Sequence, residues 1–309
     1  MDGFSKMTKY KDPQKPQAAS HMFWFFIIPA IVFMGWVSWT LLGGLNKKTE
    51  VKSSLVNRVQ EIRDGKSAGA RYQAAYSFAQ DLQREIHSEK TSLEPAEKDK
   101  LFSSLGSLLE EFPEDARLRR YLILTLAQLK DVRAIKVFQQ NLADPDEDIR
   151  FYSAWGFIEA LNENKDQITD KHLELVATWL NHKELSYKKI ATSFLVHYPE
   201  YQTKVKSLLS DENKEVQWNA AVALASQKNA AGKNLINEML QLHTIRSISF
   251  RSSRDLEQFV ATALEATKNL NDPELARAAL SLREKVSDQN SEGRAVNAAF
   301  KGFKMEDIL

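Results

Sequence analysis

The chain of 309 residues carries 42 lysines and arginines against 41 aspartates and glutamates, a formal net charge of +1, and no cysteine. Near-neutral charge argues against non-specific nucleic-acid binding, which needs an excess of positive charge. The absent thiols exclude disulfides, cysteine-zinc sites and cysteine nucleophiles, and with only 11 glycines and 8 prolines to make turns the composition favours helices over strands.

Residues 1–21 form a tail bearing Lys6, Lys9, Lys11 and Lys15 and are expected to be disordered. From Met22 to Leu45 the sequence MFWFFIIPAIVFMGWVSWTLLGGL holds no charged residue. About 20 apolar residues suffice for a helix to cross the hydrocarbon core, so 22–45 is predicted as a single transmembrane helix in contact with the lipid bilayer. Trp24, Trp36 and Trp39 stand toward its ends, where indole rings favour the interface. A cleaved signal peptide would have an apolar stretch of only about 7–15 residues and a small-x-small site, and Leu41-Leu42-Gly43-Gly44 is a poor one. Lys47, Lys48, Lys52 and Arg58 nearly balance the tail's lysines, and Lys47-Lys48 favours the reverse orientation. Long domains translocate largely regardless of charge, however, whereas a short lysine-bearing tail stays inside. A cysteine-free chain also suits an oxidising compartment. The expectation is a single-pass protein of the bacterial inner membrane with a periplasmic domain.

Residues 46–100 read as a helical linker and N-terminal capping helices. Leu55, Val59 and Ile62 recur at helical spacing, as do Tyr72, Ala75, Phe78, Ala79, Leu82 and Ile86. Ser92 is the expected N-cap of a helix through Phe112, with Leu101, Leu105, Leu108 and Leu109 on its apolar face. A repeat then emerges. Leu142–Leu161 and Leu209–Lys228 align without a gap, matching Asp144 with Asp211, Ile149 with Val216 and Ala154 with Ala221. Glu110–Leu129 is a third copy, with Leu118-Arg119 in place of Ile149-Arg150, and Trp179–Tyr198 a fourth, with Ala191 in place of Ala154. Copies spaced by about 30–37 residues signal a helical solenoid.

The pattern resembles the HEAT-repeat family in its short bacterial form: a helix ending in Leu, a turn with Asp, then V/I-R-x-x-A-x-x-A-L. Ile149-Arg150 with Ala154 fits, and Val216-Gln217 with Ala220, Ala221, Ala223 and Leu224 fits with Gln217 in place of Arg. The resemblance implies an all-α fold, an α-solenoid of HEAT-like helix pairs over residues 101–286, in which the turn Asp caps the second helix and each pair covers its neighbour's apolar face. Thr244–Asp255 interrupts the period as a basic, Ser-rich loop, and Asn271-Asp272-Pro273 separates the last two helices. Residues 287–309 are expected to be a flexible tail, their end apolar through Phe300, Phe303, Met305, Ile308 and Leu309.

No chemistry stands out. The six histidines form no tight metal pair, and no phosphate-binding glycine loop or nucleophile elbow is present. Asp146-Glu147-Asp148 is read as capping, and Trp155, Trp179 and Trp218 as packing between helices. The phycobilin lyases, relatives within the resembled family, act on tetrapyrroles, but nothing beyond the shared repeat points that way. The sequence therefore predicts no catalytic residue, no cofactor and no metal, and a chain that is not an enzyme. It predicts a membrane-tethered scaffold whose solenoid binds a membrane-associated protein partner. The expected contact residues are Arg150, Lys188, Lys189 and Gln217 on the second helices and Arg246, Arg251 and Arg254 in the basic loop, with Arg150 alternatively linking repeats through a turn carboxylate. The competing reading is an accessory subunit of a membrane complex, possibly respiratory, recognised through its aromatic span with Pro29 and Gly35, of which Gly35 permits close helix approach.

Overall fold

The structure, a computed structural model, describes residues 55–86 and 93–303. The tail 1–21, the span 22–45, Ser92 and the last residues 304–309 lie outside these. Among the described residues no helix is long and apolar enough to cross a membrane. All their regular structure is helical, which bears out the expected all-α architecture. The helices are α1 (Leu55–Arg63), α2 (Ala68–Ile86), α3 (Pro95–Glu111), α4 (Ala116–Leu129), α5 (Ile135–Asn141), α6 (Glu147–Glu163), α7 (Asp170–Trp179) and α8 (Leu185–Leu195). They continue as α9 (Gln202–Ser207), α10 (Lys214–Ser226), α11 (Lys233–Met239), α12 (Leu242–Ser247), α13 (Ser253–Leu270), α14 (Pro273–Glu284) and α15 (Ser291–Lys301).

Short polar residues start many of these helices. Asp115, Asp146, Asn213, Ser252, Asp272 and Asn290 each accept a backbone N–H of the first turn, satisfying a donor the helix itself leaves open. The expected caps shift accordingly. Asp144 and Asp211 do not cap; each accepts the backbone N–H two residues on, at Asp146 and Asn213, and so shapes the turn before the cap. Glu94 rather than Ser92 precedes α3, with Pro95 at the first helical position. Lys130 and Asn271 end α4 and α13 in the left-handed region at φ 50° and 49°.

Helices α2, α4, α6, α8, α10, α13 and α15 pack side by side in that order as one layer. Helices α1, α3, α5, α7, α9, α11 and α14 cover them as a second layer. The layer thus extends beyond the predicted solenoid 101–286 at both ends. The inner helices α6 and α10 lose their amphipathic signature: α6 buries Ile149, Phe151, Tyr152, Ala154, Phe157, Ile158, Ala160 and Leu161 around most of its circumference. The expected flexible tail is also corrected. Ala295, Val296, Ala299 and Phe300 of α15 are buried against Leu256, Val260 and Leu264 of α13 and Leu282 of α14, because α13 would otherwise expose its apolar stripe. The basic loop shrinks likewise: Leu242–Ser247 is helical and Ser252 already caps α13.

One glycine sets the spacing of α4 and α6. A Cβ at Gly156 would stand 2.7 Å from the Ala127 Cβ and 2.7 Å from the Phe138 ring. Glycine to alanine inside a helix ordinarily gains up to about 1 kcal/mol. Gly156→Ala is instead expected to lose about 1–3 kcal/mol through overpacking. Gly106→Ala in α3, where a Cβ meets nothing within 4 Å, should show the ordinary gain. Urea unfolding of both variants checks the opposite signs.

Candidate functional site

The polar residues of the repeat turns form an internal ladder. Counting from each N-cap, the third helical residue is a buried apolar anchor, at Leu118, Ile149, Tyr187 and Val216. The next residue, Arg119, Arg150, Lys188 or Gln217, turns its polar end toward a repeat turn. Arg119 Nη2 reaches Asp144 at 2.5 Å, Arg150 Nη2 reaches Glu184 at 2.9 Å and Lys188 Nζ reaches Asp211 at 2.6 Å. Each pair joins one second helix to the turn that opens the next. Arg150 and Gln217 also donate to the Asp144 and Asp211 carbonyls, the same bond in the turns that open α6 and α10. This register corrects the fourth repeat copy by one residue: Thr192, not Ala191, stands where Ala154 and Ala221 do, and it is fully buried with its hydroxyl donating to the Lys188 carbonyl.

A second rung runs beside the first. Arg120 forks onto Asp146 and reaches Asp148 at 2.9 Å, and Lys189 reaches Glu215 at 2.5 Å. Burial works to raise the Asp146 carboxyl, but hydrogen bonds from Arg120 and from the Ile149 and Asp148 N–H groups outweigh it and hold the group below its usual range. Asp148 lies above that range through burial, despite Arg120. A depressed folded value means that Asp146 contributes stability above its unfolded value of about 4 and loses it as pH falls through the folded one. Asp146→Asn, which can still cap, is expected to lower stability at pH 7 and to flatten the stability loss below about pH 4. Urea titrations from pH 2 to 7 read this directly.

Thus Arg150, Lys188, Lys189 and Gln217, four of the expected contact residues, are committed to bonds within the chain. Arg246, in α12, reaches Glu292 of α15 at 2.8 Å and lines an open depression of about 570 Å³ with Gln241, Leu242, His243, Ser247 and Lys285. Arg251 lies in the turn after α12 and Arg254 in the first turn of α13, so the structure does not gather the seven residues into one site. Two of the histidines accept hydrogen bonds at helix starts: His172 Nδ1 from Thr169 N–H and His182 Nδ1 from Glu184 N–H. Among the described residues no group of His, Asp and Glu is arranged to hold a metal ion.

What the layer does present is a face on α2, α4 and α6 that the sequence reading missed. Tyr76, 38% exposed, is the exposed large apolar side chain among the described residues. Its ring meets Tyr121 edge-on at 6.1 Å, and Gln80 Nε2 donates to its hydroxyl at 2.8 Å. One turn away the Arg117 guanidinium lies 4.6 Å over the Tyr72 ring, and the Tyr72 hydroxyl donates to Asp115, which holds that hydroxyl above its ordinary pKa. Arg120 and the buried Tyr152 complete the face toward α6. The sequence held one usable signal: Tyr76 falls outside the apolar stripe of α2.

No protein-family model matches the sequence, and no curated protein sequence matches it. Among solved structures, the complex of CpcE and CpcF of phycocyanin lyase from Nostoc sp. PCC7120 is similar over 86% of this chain and 98% of that chain, with 16% identity and a TM-score of 0.44. Human deoxyhypusine hydroxylase in complex with glycerol is similar over 80% of this chain and 94% of that chain, with 10% identity and a TM-score of 0.33. Both neighbours are enzymes by name, a lyase and a hydroxylase, and the expectation that the chain is not an enzyme is withdrawn.

Proposed function

We propose that this chain is a membrane-tethered protein whose helical domain binds a protein partner. The carrying observation is the unbroken layer from α2 to α15, a stacked array of the kind that presents an extended binding surface. Its inter-repeat ion pairs, Arg119–Asp144, Arg150–Glu184 and Lys188–Asp211, fix each second helix against the next turn. A surface held in one geometry loses little freedom on binding. The charge-free stretch 22–45 supplies the tether, which concentrates the domain near membrane partners so that modest contacts suffice. In this reading the protein sits in a bacterial inner membrane, with its lysine-bearing tail in the cytoplasm and the domain in the periplasm.

The test is a crosslinking pull-down of the full-length protein from its native membrane, beside a chain beginning at Asn46 and one in which 22–45 is replaced by an unrelated span. Recovery of one partner by all three supports binding through the domain. Recovery only with the native span would assign recognition to residues 22–45 and make the protein an accessory subunit of a membrane complex, a reading favoured by the aromatic span with its Pro29 and Gly35.

A further inference from the structure

We infer that the face formed by α2, α4 and α6 takes an acidic protein segment carrying apolar side chains. The inference deepens the partner-binding reading and rests on it. Four observations converge on this face. Tyr76 is exposed yet fixed, edge-on to Tyr121 and hydrogen-bonded to Gln80, so an apolar side chain seated on it would find a preset ring. Arg117 is exposed and its guanidinium stands over the Tyr72 ring, a contact with the ring face that leaves several of its five N–H donors for a carboxylate.

The ion pairs here are lopsided. The Arg120 side chain is 40% exposed while its partners Asp146 and Asp148 are 13% and 18% exposed. On α2, Arg84 is 56% exposed against 16% for its partner Asp81. The carboxylates face inward and the guanidinium groups face water, so a locally balanced set of charges presents a positive surface. Tyrosine and arginine are also the side chains that dominate the centres of protein interfaces. A lipid surface fits less well. Recognition of anionic headgroups uses clusters of about 4–8 lysines and arginines, whereas this face interleaves a few arginines with rings.

The test uses the full-length chain in detergent and three probes: a fluorescein-labelled peptide of alternating Glu-Glu-Phe and Glu-Glu-Leu units, the same peptide with lysine for glutamate, and phosphatidylserine vesicles. The acidic peptide is expected to bind, more weakly as salt rises. Binding should fall at least tenfold in both Tyr76→Ala and Arg117→Glu. Tyr76→Phe, which keeps the ring, and Lys136→Glu on α5 should leave it within about twofold, with circular dichroism confirming that every variant is folded. Equal binding of the lysine peptide, insensitivity to Tyr76→Ala and Arg117→Glu, or binding of vesicles alone would each overturn the inference. The pull-down separates it from its parent reading. A partner still recovered by the Tyr76→Ala/Arg117→Glu chain sinks this face and leaves the reading standing, whereas no partner with the unaltered chain sinks the reading itself.

Discussion

Replacing Phe157 by alanine is expected to destabilise the domain by about 3–5 kcal/mol. Phe157 is fully buried in the middle of α6, a helix that packs on both α4 and α8. Its ring meets Trp179 at 5.9 Å and His172 at 5.7 Å, and Trp179 passes the contact on to Tyr187 at 5.2 Å. Tyr187 in turn donates its hydroxyl to the Arg150 carbonyl on α6 at 3.2 Å. Removing the ring leaves a cavity at the centre of this closed set, where helices held on two sides cannot collapse inward. The expected result is a large drop in the urea midpoint. If the array unfolds as one unit the slope stays constant; a lower slope would mean that the layer parts at α6–α8 before it melts elsewhere.

Breaking the ladder at Asp211 is expected to cost about 3 kcal/mol. The Lys188 side chain is 14% exposed and that of Asp211 7%, so Asp211→Ala strands a largely desolvated ammonium group. It also removes the acceptor of the Asn213 N–H. Lys188→Met combined with Asp211→Asn should recover most of the loss, since the charge is gone and the amide oxygen still accepts that N–H. Denaturant unfolding of Lys188→Met, Asp211→Asn and the double variant gives the coupling between the groups. Additive losses would show that the pair contributes nothing as a pair.

Local order was legible because it depends on neighbours in the chain. The spacing of Ala75, Phe78, Ala79 and Leu82 marks α2, and all four are buried. The gapless match of Leu142–Leu161 with Leu209–Lys228 marks the repeat. What failed was decided by distant residues. Asp144 and Asp146 are both acceptable caps by type; Arg119, reaching Asp144 from the previous repeat, goes with a turn in which Asp146 caps. Ser291–Lys301 read as tail because its apolar residues are few, and only the stripe of α13 beneath them makes a helix worthwhile. The contact residues show the same divide. That Arg150 is a paired cation was readable from the repeat, but its partner Glu184 lies 34 positions on. Direction, into the fold or out to solvent, is set there. Tyr76 is the converse case, a ring that no later helix among the described residues covers.

The most direct measurement is site-specific photocrosslinking in native membranes, with a benzophenone amino acid at position 76 of the full-length chain and, separately, at position 136. Position 76 is exposed on α2 in the first layer, and Lys136 is exposed on α5 in the covering layer. The account predicts one discrete protein adduct from position 76 and none from position 136. Adducts of the same kind from both positions, or none from position 76, would contradict a partner bound on this face.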